Sequence, residues 1–409
     1  MGVRKAAATK RAGTPKPRRR SAAGPRTATK VQPKKARAAA TRTASVIAIL
    51  RAGSHTFPSS PNAKGKIRQL ASEWSYTLRM RSRWTNDPDS RALMGERAVD
   101  ELASLGFDEA ALTRLAQASR IEVELFDSIG AEPEDTVASR ASDFPWEYVL
   151  SAATRFLGRT SPVLITRLLR HKVPRAPGPL PVKELLVITS APGRIWDVYE
   201  FDTEVTRLRY AVGTKRDDIC FPPQETAPAP TLDDIRARMR PARSRAAPAV
   251  VHVTGVDPHQ ACGLIAGFYD ELGTDTDDAP IADDGILLAG TTRAEEPVSA
   301  ADFAAAVVPP GAAAPRLVTL NLYYSAARTA RAMVRQGADA AIGFQDAISD
   351  EIAEYFFTAF FWECRDAKSS SDVPWAFERA WKRLTDQGHD LHGTGIVLWL
   401  GAPVAKEST

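Results

Sequence analysis

Few residues in this 409-residue chain combine a reactive type with a useful spacing. The three cysteines are Cys220, Cys262 and Cys364. Thiol chemistry needs a thiolate beside an imidazole that takes and returns its proton. His252 falls inside an apolar run, Ala249 to Val253, and is expected to be a hydrogen-bonded core group. His259 follows on a loop or first helical turn and is expected to be solvated. Cys262 lies on the apolar side of a helix with Leu264 and Ile265, and Cys364 follows Phe360, Phe361 and Trp362, so both read as buried, inert thiols. Cys220 precedes Phe221-Pro-Pro, with only Lys215 and Arg216 as basic neighbours. Asp346 and Asp350 follow an apolar strand, where they either line a groove for a basic peptide or, for Asp350, cap the next helix. Ser325 reads as a helix N-cap. His389 and His392 lack a cysteine to complete a zinc set, so no metal is expected. No phosphate loop, nucleophile elbow or dinucleotide fingerprint is present: Gly65-Lys66 lacks the first glycine, and Gly393-x-Gly395 precedes a strand instead of following one. No cofactor is expected.

The elements that must position these residues alternate. Ile121, Val123 and Leu125 alternate with acidic residues as a half-buried strand does. Short apolar runs recur at Glu184 to Thr189, Ala249 to Val253, Leu317 to Tyr323, Asp339 to Phe344 and Gly395 to Leu400, with helical segments between them, including 202–212. Strands separated by helices imply crossover connections. The pattern predicts an α/β fold with a mainly parallel sheet and helices on both faces. The helix Asp350 to Asp366 carries Tyr355, Phe356, Phe360 and Trp362, read as core, with Trp375, Phe377 and Trp381 packing against it. Ahead of the sheet, 45–119 reads as a small helical lead-in. Arg91 to Leu105 has helical periodicity stopped by Gly106, and Asp108 caps a second helix from Glu109. Thr77 to Trp84 is ambiguous between helix and strand.

Charge divides the chain. Residues 1–44 hold six Lys and eight Arg with no Asp or Glu, whereas the remainder carries 40 basic and 49 acidic groups. The net +5 is therefore a strongly basic tail on a mildly acidic body. The tail has no apolar face and is expected to be disordered, with Arg18, Arg19, Arg20, Lys34 and Lys35 as candidate contacts to nucleic-acid phosphates. The first apolar run, Val46 to Leu50, is too short and too late for a secretory signal. No run approaches the ~18 apolar residues of a membrane span. Few, scattered cysteines point to a reducing, cytoplasmic setting.

Several segments together resemble a CHAT domain, the caspase-like peptidase fold related to separase, over residues 120–402, leaving 403–409 as a C-terminal tail. They are Phe144-Pro145-Trp146-Glu147; the strand Leu185 to Ser190 with the helix holding Glu204; Val250-Val-His252-Val-Thr-Gly255; Leu320-Asn321-Leu-Tyr323-Tyr-Ser325; and Gly337 to Gln345 with Ile348 to Ala353. The resemblance implies a histidine directly after Gly255 and a cysteine at position 323, on loops at the carboxyl ends of adjacent parallel strands. Here those positions hold Val256 and Tyr323. Valine has no lone pair or proton to offer, and a phenol with pKa near 10 is a poor nucleophile. The resemblance therefore implies a degenerate dyad, with Val256 and Tyr323 facing each other in an apolar, crowded site. It makes the chain a pseudo-peptidase that binds a protein partner. Two other functions stay open: an active cysteine endopeptidase with a dyad relocated to His252, His259 or Cys262, and a nucleic-acid-associated protein acting through the tail.

Overall fold

A computed structural model describes residues 46–79, 87–126, 137–171, 180–198, 201–216, 218–223, 229–242, 246–265, 284–291, 294–366, 373–386 and 395–403. The basic tail, with Arg18, Arg19, Arg20, Lys34 and Lys35, lies outside them, as do His389 and His392. Among the described residues twelve strands occur: β1 (Ala48–Ala52), β2 (His55–Pro58), β3 (Arg120–Phe126), β4 (Leu164–His171), β5 (Leu186–Ser190), β6 (Cys220–Phe221), β7 (Val250–Gly255), β8 (Gly285–Leu288), β9 (Glu296–Ser299), β10 (Leu317–Asn321), β11 (Ala340–Phe344) and β12 (Ile396–Pro403). The helices are α1 (Ala63–Arg79), α2 (Pro88–Ser104), α3 (Glu109–Gln117), α4 (Val137–Asp143), α5 (Trp146–Phe156), α6 (Asp202–Val212), α7 (Leu232–Met239), α8 (Pro258–Leu264), α9 (Ala300–Val307), α10 (Arg331–Gln336), α11 (Asp350–Asp366) and α12 (Val373–Asp386).

Every residue of β5, β7 and β11 is buried, and so is all of β10 but Asn321. Strands apolar on both faces belong inside a sheet covered on both sides. They form the middle of a ten-stranded sheet of order β2-β1-β3-β4-β12-β11-β10-β7-β5-β6. The block β6-β5-β7-β10-β11 is parallel throughout. The last strand, β12, enters antiparallel to β11 and then runs parallel with β4, which is parallel to β3. Fold class is thus α/β, with a mainly parallel sheet flanked by helices. One face packs α1, α2, α3, α5, α9 and α10 around Trp74, Trp146 and Trp399. The other packs α6, α11 and α12 around Phe356, Phe357, Phe360 and Phe361. The strand expected at Ile121 to Leu125 is β3, and its buried Glu124 is paired with Arg51 and Arg170.

The region 45–119 is not helical alone. Its apolar run becomes β1, which pairs antiparallel with β3 and with β2, so this region extends the main sheet. The helix from Glu109 begins where expected, capped by Asp108, whereas the helix expected from Arg91 begins three residues earlier at Pro88, capped by Asp87, and Gly106 follows it at φ +98°. The segment Thr77 to Trp84 is helical as far as Arg79, and its remainder lies outside the described residues. Among the described residues no helix is long and apolar enough to cross a membrane.

The Phe144 to Glu147 element is an anchor. Trp146 donates its indole N–H to Ala141 O at 2.8 Å, folding α5 back on α4. Glu147 grips fully buried Arg167 of β4 at 2.9 and 2.5 Å. Arg167 also donates to Ser142 O (2.5 Å) and Gln345 Oε1 (2.8 Å), and lies over the Trp399 ring. These bonds fix α4 and α5 beside the carboxyl end of β11.

Candidate functional site

β7 and β10 are adjacent and parallel, in register from Val250↔Leu317 to Thr254↔Asn321. Their carboxyl ends open side by side, where an open α/β sheet places its ligands. Gly255 is required at the end of β7, because a Cβ there would meet Ser190 O at 2.9 Å. Val256 follows, with its N–H donating to Ser190 O and its carbonyl accepting from Leu287 N–H. Its side chain is fully buried among Ala191, Ile195, Phe201, Ala261, Ile265 and Leu287. Asp257 then caps α8, its Oδ1 accepting the N–H groups of His259 (2.7 Å) and Gln260 (3.1 Å).

The turn after β10 sends its two tyrosines in different directions. Ser325 is not a helix cap: its hydroxyl donates to Leu322 O (2.7 Å) and accepts Phe344 N–H (3.0 Å), tying the turn to β11. The approach is so close that a Cβ on Gly343 would meet Ser325 Oγ at 2.7 Å. Tyr324 takes φ +54°, a left-handed conformation costly for a side-chain-bearing residue. Tyr323 packs against the α11 core and donates its hydroxyl to Asp350 Oδ1 (3.3 Å). Val256 and Tyr323 therefore lie in separate apolar clusters and do not face each other as expected. Tyr324 meets the β7 loop instead, its ring 4.7 Å from that of His259.

His259 is not a solvated side chain. Its Nε2 lies 3.1 Å from Asp284 Oδ1, and it is 18% exposed. Arg328 places Nε 3.8 Å from Asp284 Oδ2 and 3.5 Å from Asp143 Oδ1, and Arg140 is 3.4 Å from Asp143. Burial drives Asp257 up to about 6, against the pull of its backbone donors and His259, while Asp284 pushes it further up. Burial likewise raises Asp143, with Arg328 opposing and Asp284 adding to it. The expectation of an apolar, crowded site is thus corrected: apolar packing surrounds Val256, but the adjoining rim is ionisable.

His252 has the core role foreseen for it. It is fully buried, with Nδ1 2.7 Å from Thr319 Oγ1 and Nε2 3.0 Å from Glu204 Oε1. Asn321 Nδ2 donates to the same Glu204 oxygen at 2.8 Å. Burial alone would raise Glu204, yet the hydrogen bonds and charge of His252, with those of Thr254 and Asn321, hold it below the usual carboxylate range. Phe357 and Phe361 pack edge-on against the His252 imidazole.

The remaining candidates separate. Asp346 is buried and accepts from Tyr148 Oη at 3.2 Å, so it is not part of an open groove. Asp350 begins α11 and is raised by burial, the Tyr323 hydroxyl opposing. Cys364 is buried and its thiol pushed well up by burial. Cys220 is half-buried in β6; burial raises it too, with Thr189 opposing. Cys262 lies within α8, three positions after His259, and its side chain is outside the described residues. In α11, Phe356 and Phe360 are core, whereas Tyr355 is 38% exposed. Among the described residues no group of three or more His, Cys, Asp or Glu is arranged to hold a metal ion.

Sequence reasoning missed Tyr324, Asp257, Asp284, Arg328 and Asp143. Asp257-Pro258 was readable as a helix start, Pro being favoured at the first helical position. Nothing in the spacing linked His259 to Asp284, 25 residues on. No protein-family model and no curated protein matches the chain.

Proposed function

We propose that this chain is a CHAT-like protein that has lost thiol peptidase chemistry and serves as a protein-interaction module of the cytoplasm. The observation that carries this reading is the setting of Val256, a fully buried side chain closed in by six apolar neighbours at the position where the resemblance calls for an imidazole. The partner position is filled by a tyrosine bonded to a carboxylate. Relocation of the dyad to Cys220, Cys364 or His252 gains no support, and the Cys262 side chain lies outside the described residues. Neither Cys220 nor Cys364 is bonded to an imidazole, and the ring nitrogens of His252 are both engaged by core groups. Arrangement of β7 and β10 as adjacent parallel neighbours, and the Trp146–Glu147–Arg167 anchor, agree with the segments that carry the resemblance.

The test is turnover of fluorogenic peptides with arginine or lysine before the scissile bond. The reading expects rates equal to buffer. Cleavage that disappears on Cys220→Ser, Cys262→Ser or Cys364→Ser would overturn it. The tail stands as a second, separate proposal, nucleic-acid binding by 14 cationic side chains without an acidic one.

A further inference from the structure

The rim beside the lost dyad has a geometry of its own. His259 and Tyr324 come from the carboxyl ends of β7 and β10, and Asp284 immediately precedes β8. His259 is held from three sides: Asp257 accepts its backbone N–H, Asp284 Oδ1 lies 3.1 Å from its Nε2, and the tilted Tyr324 ring lies 4.7 Å from its own. Arg328 supplies opposite charge on the far oxygen of Asp284. Tyr324 keeps φ +54° to hold its ring there. Left-handed backbone at a non-glycine residue costs on the order of 1–3 kcal/mol and persists where the surroundings enforce it, commonly at functional sites. In the tautomer whose Nε2–H donates to Asp284 Oδ1 across 3.1 Å, Nδ1 is the basic nitrogen. A carboxylate that fixes the tautomer of a partly exposed imidazole is the arrangement of a general base.

We propose that this rim is a hydrolytic site independent of any thiol, in which His259 is the general base, Asp284 its positioning residue and water the nucleophile, acting on neutral carboxylic esters. This inference goes beyond the loss of peptidase chemistry. Nδ1 of His259 takes a proton from water as the water oxygen bonds to the acyl carbon. The tetrahedral adduct then collapses, the carbon–oxygen bond to the alcohol breaks, and the alkoxide recovers the proton from His259. Carboxylic acid and alcohol are the products, and no further reactant is needed. Arg328 and Arg140, the cations of the rim, are taken up by Asp143 and Asp284, which suits a neutral substrate. The Tyr324 ring offers a flat apolar wall to an acyl chain. An ester suits a water nucleophile because its alkoxide departs more readily than the amine of a peptide.

The experiment uses the full chain with 4-nitrophenyl acetate and 4-nitrophenyl butyrate, against an equal concentration of free imidazole. General acid–base catalysis contributes about 10²–10⁴-fold. The expected result is hydrolysis at least ~100-fold faster than imidazole, lost by a similar factor in His259→Gln. Asp284→Asn should lower kcat with KM unchanged, and Asp284→Glu should restore part of it, a pattern that mere loss of structure does not give. Should His259→Gln fail to fold, diethyl pyrocarbonate treatment of the wild-type chain serves instead, with activity falling in step with His259 modification mapped by peptide mass. Rates no faster than imidazole, or activity that survives His259→Gln or complete His259 modification, overturn the proposal. A simultaneous lack of peptide cleavage leaves the preceding reading standing.

Discussion

Replacing Glu147 by glutamine tests whether the Phe144 to Glu147 element holds the sheet and the rim together. Glu147 is 2% exposed and Arg167 fully buried, so neither charge can turn to water. The glutamine keeps the shape and one acceptor but removes the charge opposite the guanidinium. Arg167 would retain Ser142 O, Phe144 O, Gln345 Oε1 and the Trp399 ring, all neutral. Removing one partner of a buried ion pair costs about 3–5 kcal/mol, because the other charge is left uncompensated. Against a total stability of about 5–15 kcal/mol that is a large fraction. Equilibrium urea unfolding of Glu147→Gln should show the loss as a lower midpoint with an unchanged slope. The double variant Glu147→Leu, Arg167→Met should recover most of it, since replacing both members of a buried pair by apolar groups is often near neutral. A midpoint shift worth under ~1 kcal/mol in the single variant, the range of an exposed pair, would refute the reasoning.

Two further outcomes concern the rim and a third the basic tail. Asp257 has its folded pKa raised to about 6 by burial, so the native state binds the extra proton; its contribution to stability is full below the ordinary aspartate pKa of about 3.9 and declines as pH rises to about 6, by on the order of 3 kcal/mol. Asp257→Asn, which caps a helix as well, should remove that slope from thermal unfolding measured across pH 4–7. Tyr324→Gly should relieve backbone strain of about 1–2 kcal/mol and lose a ring contact of about 0.5–1.5 kcal/mol, leaving the unfolding midpoint nearly unchanged; a drop beyond ~3 kcal/mol would show that Tyr324 packs more deeply than its contacts indicate. Deletion of residues 1–44, with their 14 cations, should abolish the salt-sensitive part of DNA binding in a filter or anisotropy assay, and equal binding by the shortened chain would end the tail proposal.

The central strands were legible because each is a short apolar run that must be covered on both faces. Helix starts were legible where a side chain caps locally, as at Asp108. β1 was not, since Ala48 to Ala52 is placed inside the sheet by pairing with β3, more than 70 positions away, as well as with its neighbour β2. His252 read correctly as core, for a histidine inside a fully apolar strand must find its partners among buried neighbours. The juxtaposition of Val256 and Tyr323 failed for a local reason. An aromatic residue is a poor guide to a left-handed backbone, and the φ of Tyr324 decides which tyrosine turns toward β7. Asp284 was invisible because its approach to His259 depends on β8 pairing with β9 outside the main sheet.

The central claim, that the site has lost its thiol chemistry, is tested most directly by intact-mass measurement after incubating the folded chain with a thiol-reactive arginyl peptide probe. Val256, buried in an apolar cluster, stands where the dyad imidazole would be, and burial raises the Cys220 and Cys364 thiols toward the protonated form. The account predicts an unchanged mass for the folded chain and labelling only after denaturation. Stoichiometric labelling of a single cysteine in the folded chain, blocked by His252→Asn or His259→Gln, would contradict it.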